Sequence, residues 1–422
     1  MKRKPDEAAL RHGVGPYVQA PTRPVFLAMS RHGRVLVAMS GGVDSSVAAA
    51  LLHGDGYEVV GVTMKTWDHT DAPAVACRTP AAGARSAKPV GCCSVDDMHD
   101  ARAVAERLGV PHMVVDIRDE FGSFVVDRFE RDYLAGRTPN PCVLCNTHVK
   151  WAALLRRADA LGCEWIATGH YARVRAEATP AGTRHVLSRG HDRRKDQSYA
   201  LWGVAQEHLA RTRLPLGGYA KPEIRELAAE LGMGHVASKK DSYEICFIPD
   251  GDYRGWLERR HPALADAAGP FVLDGRTVGT HRGTTRYTVG QRRGLGVSHA
   301  VPLYVTRIDT AANAVHLGPR EALDGRTVIA TELNGVAVAA LDGEAPVTAQ
   351  VRYNDPGAPA LARQTGADCV EVVFGAPRMS PAPGQALVLY RGDDVLMGGW
   401  IEAAHHDAAP AEALAVPLPV IG

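Results

Sequence analysis

Arg34-Val35-Leu36-Val37-Ala38-Met39-Ser40-Gly41-Gly42-Val43-Asp44-Ser45-Ser46 is the stretch whose reading decides the fold. The apolar run bounded by turn signals reads as a buried parallel strand, and Val43 to His53 has helical composition ending at Gly54. Between them, Gly41 and Gly42 let the backbone approach an anion closely. Amide N–H groups of the turn, the helix dipole and the hydroxyls of Ser40, Ser45 and Ser46 would then face phosphates. Asp44 does not suit bare phosphate, and a carboxylate inside an anion site makes sense if it holds Mg²⁺ or a substrate group. The pattern is not the Walker loop, because no Gly-Lys-Ser/Thr follows, and it is not the GxGxxG fingerprint.

Strand and helix signals alternate outward from this turn. Tyr57 to Met64 reads as a strand, Ser94 with Asp97 caps a helix reaching Leu108, and His112 to Asp116 is a third strand. Asp119 to Ala135 follows as a helix, Trp165 to Tyr171 as a strand running into Gly-His-Tyr, then a hairpin, then a helix that Pro222 introduces over Glu223 to Leu231. The alternation predicts an α/β fold with a parallel sheet and helices on both faces, its ligand at the carboxyl ends of the strands. From Gly275 the texture changes to short glycine-punctuated strands at 277–279, 286–289, 303–308, 314–317, 347–353, 369–374 and 386–390, which predict one or two small barrels.

A length of 422 residues predicts two or three domains. The expected division is a disordered extension at 1–32, a catalytic domain at 33–252, a small central domain at 253–299, a C-terminal β-barrel at 300–406 and a loose tail at 407–422. Residues 1–28 are expected to be dispensable, with Met29 as a second possible start, and the Ala/Gly/Pro-rich stretch from Asp68 to Gly91 is expected to be a mobile insertion. A net charge of +1 gives no global field toward nucleic acid, so RNA contacts must use local patches. Eight cysteines are too few for a disulfide scaffold, and no signal peptide or membrane-length apolar run is present. The expected setting is a reducing cytoplasm in which thiols do chemistry.

The run Gly136-Arg-Thr-Pro-Asn140-Pro141-Cys142-Val-Leu-Cys145-Asn146 places a CxxC at the opening of a helical stretch. A thiolate at a helix start is stabilised by the dipole, which makes Cys145 a candidate nucleophile. Half of a zinc site or a redox dithiol are the alternatives, although no second CxxC stands at finger spacing. His170 lies at a strand's carboxyl end and could touch ligand or simply fill the core. The basic loop from Arg189 to Tyr199 suits either phosphate-backbone contact or plain solvation. Cys246, between apolar neighbours, would by itself pass as core. Cys77, Cys92, Cys93, Cys163 and Cys369 have no stronger claim.

Eight motifs then stand in one order: SGGVDSS, MKTW at 64–67, GRTPNPCVLCN, ATGHY, KDQSY, KKDSYEICF, YTVGQRRGLG at 287–296 and PGQ at 383–385. SGGVDSS resembles the PP-loop of ATP pyrophosphatases, which cleave ATP between the α and β phosphates and use the AMP part to activate a carbonyl oxygen, and in that order the chain, from about residue 33 to 405, resembles the tRNA-specific 2-thiouridylases, which are PP-loop enzymes. The resemblance implies a catalytic PP-loop domain followed by a central β domain and a tRNA-binding barrel. It implies an ATP-dependent sulfurtransferase that replaces the C2 oxygen of the wobble uridine, position 34, with sulfur. Cys145 would be the nucleophile and Cys246 the persulfide carrier, the two joined in a transient disulfide. Ala38, Met39, Ser40, Gly41, Gly42, Val43, Asp44, Ser45, Met64 and Gly169 would form the ATP site. Asn140, Pro141 and Cys142 would face the target base, and His170, Lys195, Asp196, Gln197, Arg352, Tyr353 and Gln385 the tRNA. Implied partners are tRNAs for Lys, Glu and Gln and a persulfide donor such as a cysteine desulfurase or a sulfur relay carrier, without any membrane.

The chemistry agrees with that pattern. A C2 oxygen cannot depart as oxide but leaves readily once adenylated, and two cysteines suffice to carry and resolve a sulfane sulfur. One departure matters, because many members have Asp where this chain has Cys142, a plausible acid/base position. With Cys145 and Cys246, Cys142 would give three thiolates able to hold an iron–sulfur cluster, the second mechanism kept open here. An amidating PP-loop synthetase and a non-catalytic RNA-binding module are the other readings. The first needs an ammonia source that no glutaminase-like segment supplies, and the second has no use for both the SGG turn and two placed cysteines.

Overall fold

The computed structural model describes residues 31–67, 95–239, 245–248, 250–379 and 381–405. The expected insertion at 68–91, the tail from 407, Met29 and Cys77, Cys92 and Cys93 lie outside the described residues.

The chain opens with β1 (Arg34–Ala38), α1 (Val43–Gly54), β2 (Glu58–Lys65), α2 (Val95–Leu108) and β3 (His112–Asp116). A helical run follows with α3 (Asp127–Leu134), a second with α4 (Pro141–Leu144) and α5 (Trp151–Ala160), then β4 (Trp165–Ala167). A hairpin of β5 (Ala172–Thr179) and β6 (Gly182–Arg189) precedes β7 (Thr212–Arg213) and α6 (Lys221–Glu230). Strands β3-β2-β1-β4-β7 form one parallel sheet in that order. Successive side chains of a strand alternate between faces. Val35 and Val37 accordingly join one buried cluster with α1, α2 and α6, whereas Leu36 joins the other with Phe121, Phe129 and α5. Because β2 flanks β1 on one side and β4 on the other, the strand order reverses at β1, and such a switch point opens a crevice at the carboxyl ends.

Two helices differ from expectation in detail. The helix foreseen over 119–135 contains a π-helical stretch at Gly122–Val126, and the one opened by the CxxC contains another at Cys145–Lys150, between α4 and α5. These wide turns pack against one another, and π-turns concentrate at functional sites.

Beyond α7 (Tyr253–Arg260) lie β8 (Gly269–Leu273), β9 (Arg276–His281), β10 (Tyr304–Asp309) and β11 (Ala314–Gly318). They form one four-stranded sheet in the order β10-β11-β8-β9. The break expected at 299/300 therefore falls inside this unit, since Val315 and Leu317 pair with Phe271 and Leu273 across a shared apolar core. The strand expected at 286–289 is absent, because Thr284–Arg286 forms a 3₁₀ turn that leads into the glycine-rich loop after it.

The last unit contains β12 (Asp324–Gly335), β13 (Glu344–Gln350), β14 (Ala358–Gly366), β15 (Cys369–Met379), β16 (Ala386–Arg391) and β17 (Asp394–His405). Their order β12-β15-β14-β13-β16-β17 closes by β12–β17 pairing, so this barrel has no edge strand. It docks on the catalytic unit through close aromatic contact. A Cβ on Gly398 would lie 2.5 Å from the Trp202 ring, which itself stacks edge-on with Trp400 at 5.6 Å.

Candidate functional site

The turn after β1 is built by its own residues. Gly41 has φ +71°, and a Cβ there would lie 2.1 Å from the Asp97 carbonyl oxygen, so only glycine fits. Ser45 Oγ accepts from the Ser40 amide at 3.0 Å and donates to the Gly42 carbonyl at 3.2 Å, while Ser46 Oγ donates to the same carbonyl at 2.9 Å. Ser45 and Ser46 are buried. Their hydroxyls thus shape the turn, and the expectation that both face an anion gives way to a role in holding its backbone. Helix α1 begins at Val43 with no side-chain cap, which leaves first-turn N–H groups and the positive end of the dipole open to an anion.

Asp44 occupies the mouth of this turn, tied on both oxygens. Lys221 Nζ donates to them at 2.8 and 2.7 Å, and the Tyr171 hydroxyl donates to Oδ1 at 2.7 Å. Lys221 is 7% exposed, so its ammonium has left bulk water for this carboxylate. On the other flank, Lys239 Nζ donates to the Gly41 carbonyl at 3.0 Å and to Asp97 at 2.8 Å, and it also pairs with Asp100. Lys221, Tyr171, Lys239, Asp97 and Asp100 escaped the sequence reading. A lysine at a helix start looks like any solvated lysine, and only long-range contact reveals these.

Gly169 follows β4, and a Cβ on it would lie 2.8 Å from the Asp44 carbonyl carbon and the Ser45 amide. Its bareness lets ATGHY lie directly on the turn. Next to it, His170 Nδ1 hydrogen-bonds Thr168 Oγ1 at 2.7 Å, and its ring meets Trp151 at 5.6 Å between centroids. Burial, with the Lys150 ammonium nearby, pushes the His170 imidazole down to about 3, so the ring is neutral at physiological pH. Trp151 is the first residue after the π-helical turn that starts at Cys145. A short path therefore runs from the anion turn through Gly169, His170 and Trp151 to the cysteine helix.

Asn140 Oδ1 accepts from the Val143 amide at 3.4 Å and Pro141 occupies the first helical position, so NPC starts α4 as expected. This start puts exposed Cys142 in the first turn and buried Cys145 one turn further in. The dipole argument made for Cys145 therefore applies to Cys142, because the effect fades beyond the first turn. Cys246, half-buried, adjoins the same apolar cluster as Cys145. Its neighbour Phe247 is clasped by Phe121, Phe129 and Trp67 at 5.7, 5.2 and 5.9 Å. Met64 packs on that cluster as well. Among the described residues no group of three or more His, Cys, Asp or Glu is gathered closely enough to hold a metal. Cys142, Cys145 and Cys246 therefore do not form a three-thiolate cradle, one pointing to solvent while another is turned into the core.

The residues expected at tRNA separate into two kinds. Asp196 is spent inside, accepting from the Gly190 and Ser198 amides at 3.0 Å each and from Arg189 at 3.0 Å. Gln197 Oε1 accepts from the Tyr171 amide at 2.9 Å, and Gln385 Nε2 donates to the Thr138 and Pro139 carbonyls at 3.0 and 3.3 Å. Gln385 thus clamps the segment that leads into the CxxC. Lys195 and Arg352 are half-buried and Tyr353 is 46% exposed, which leaves these three on the rim.

Residues 33–250 match the family described as tRNA methyl transferase HUP domain, 262–319 the PRC-barrel domain of the same name, and 326–401 the aminomethyltransferase β-barrel domain. Among curated proteins, the chain is 56% identical over 387 residues to the tRNA-specific 2-thiouridylase MnmA of Salinibacter ruber, covering 91% of this chain and 97% of that one. The proteins of the same name from Amoebophilus asiaticus and Cytophaga hutchinsonii are 54% and 50% identical, covering 90% and 89% of this chain and 98% and 99% of theirs.

Proposed function

The chain belongs to the tRNA-specific 2-thiouridylase family and is a tRNA sulfurtransferase, and we propose that it thiolates uridine through an adenylated base and a cysteine-borne sulfane sulfur. The supporting observation is the short path from the anion turn to the cysteine helix, across a glycine that no other residue could replace.

In this reading ATP lies with its phosphates over the Gly41–Ser45 turn, the open amides of α1 facing them. The uridine C2 oxygen attacks the α-phosphorus, pyrophosphate leaves, and the base becomes O-adenylated. Lys221 and Lys239 carry the positive charges that flank this turn. Asp44 is already bonded to Lys221 and Tyr171, so Mg²⁺ would enter on phosphate oxygens and reach Asp44 only where Lys221 yields an oxygen.

The terminal sulfur of a Cys246 persulfide then attacks C2 and AMP departs. The Cys145 thiolate attacks the Cys246 sulfur, releasing 2-thiouridine and leaving a Cys145–Cys246 disulfide that an external dithiol reduces. The sulfane sulfur gains the two electrons that the two thiols lose. Neutral His170 cannot act as an imidazolium acid here and serves by its fixed position on Trp151. The wobble position, Lys, Glu and Gln tRNAs, and a cysteine desulfurase or sulfur relay carrier as donor belong to the same proposal. Among the described residues no helix is long and apolar enough to cross a membrane.

Purified protein incubated with tRNA, ATP and an enzymatically generated persulfide should yield AMP and 2-thiouridine in equal amounts by nucleoside mass spectrometry. AMP release without thiolated nucleoside in the presence of donor would overturn the persulfide route.

A further inference from the structure

The motif YTVGQRRGLG has no task in the reaction just described, yet it lines a cleft of roughly 860 Å³ in the middle unit. Guanidiniums reach this cleft from three separate elements: Arg254 from α7, Arg282 and Arg286 from the turn after β9, and Arg293 from the glycine loop. Among the described residues no acidic side chain lines it. Arg286 pairs with Glu258 from α7, but Arg282 and Arg293 are exposed and have no carboxylate partner among the described residues. Four arginines gathered around one opening contrast with a whole-chain charge of only +1. Such local crowding of like charge is unfavourable unless an anion occupies it.

The floor of the cleft is firm. Tyr287 and Leu295 are 7% and 8% exposed, and Tyr287 stacks edge-on against Phe271 at 5.2 Å. The cleft is also tied to the cysteine side of the crevice by aromatic contacts. Tyr253, on its wall, stacks on Tyr133 at 4.7 Å, Tyr133 meets Phe129 at 4.9 Å, and Phe129 meets Phe247, the neighbour of Cys246, at 5.2 Å. These contacts join the cleft wall to the elements that hold Cys246.

We propose that the cleft walled by Arg254, Arg282 and Arg293 binds the sugar–phosphate backbone of a tRNA stem, outside the anticodon loop whose base enters the crevice. An opening of this size is far larger than one phosphate needs, and its charges are spread over several elements. The Gln291 amide at the cleft is spent on the Thr288 amide and the Arg293 carbonyl, which leaves the guanidiniums to grip backbone and position it. The cleft then selects by A-form shape, favouring a complete tRNA over an isolated anticodon arm. The inference rests on the assignment of tRNA as substrate.

The test compares wild type with R282A/R293A, both positions being exposed, using fluorescence anisotropy over a KCl series. Probes are a full tRNA and the anticodon stem-loop cut from it. The double variant should bind full tRNA about tenfold more weakly, with a log–log salt slope shallower by roughly 1.4 to 1.8 for two lost phosphate contacts. Its affinity for the stem-loop and its AMP formation on the stem-loop should match wild type, and R282K/R293K should recover most of the binding. Unchanged affinity and slope on full tRNA, in a protein whose wild type thiolates that tRNA, overturn the cleft alone. An equal loss on both RNAs overturns the placement outside the anticodon arm, and a wild type that binds no tRNA overturns the substrate assignment together with the cleft.

Discussion

The two ends of the crevice are held in different ways. At the nucleotide end the turn closes on itself through Ser45, Ser46 and a glycine at φ +71°, and two lysines lock it from either flank. At the cysteine end the CxxC helix depends on partners far along the chain: Gln385 and Pro383 of the barrel grip Thr138 and Pro139, and Asn146 donates to the Ala200 carbonyl at 3.0 Å. The first arrangement is the preformed phosphate cradle that the proposed reading assigns to ATP. The second leaves two thiols on separate segments, Cys145 on a π-turn and Cys246 beside an aromatic clasp, which is what the proposed sulfur transfer between them needs.

The comparison breaks most easily at its rigid end. Gly41→Ala should abolish tRNA-dependent AMP release, a loss of at least about 100-fold, because the turn cannot keep its shape beside Asp97. Asp44→Ala should do the same while leaving tRNA binding nearly intact, and it should also lower the thermal midpoint, since it strands the buried Lys221 ammonium. AMP release unchanged in either variant would mean that the turn is not where ATP binds.

At the thiol end the steps should separate. Cys145→Ser and Cys246→Ser should each eliminate 2-thiouridine yet retain tRNA-dependent pyrophosphate release, because adenylation precedes sulfur transfer. Exposed Cys142→Ser should keep substantial thiolation in protein purified anaerobically and assayed for iron. Stoichiometric iron together with an inactive Cys142→Ser would restore the cluster route. Gln385→Ala should lower the thiolation rate several-fold with the KM for ATP unchanged, because it releases a hydrogen-bonded clamp worth about 1 kcal/mol rather than a catalytic group.

The prediction with the smallest effect on activity concerns stability against pH. His170 is held neutral down to about 3 in the folded chain, whereas an unfolded imidazole takes up a proton below about 6.5. Unfolding thus binds a proton between those values, and stability falls as pH drops through that window, by up to about 1.4 kcal/mol per pH unit from this residue. His170→Asn should flatten that part of an acid-denaturation curve. The slope surviving intact in the variant would mean that the histidine is not buried as described.

The amino-acid sequence by itself determined the strand–turn–helix at 34–54, the parallel sheet and the closing barrel, because glycine turns, apolar period and capping residues act locally. It also marked Cys145 through its CxxC at a helix start, and Cys246 only through the order of the motifs around it. Tertiary structure alone decided that Lys221 and Tyr171 hold Asp44, that Gln385 and Asp196 are spent on backbone and ion pairs, and that strands 304–318 belong with 269–281. Asp196 aside, whose partners lie within seven residues, those facts join residues 44 to 247 positions apart in the chain, and no local preference encodes which distant partner a polar side chain will meet.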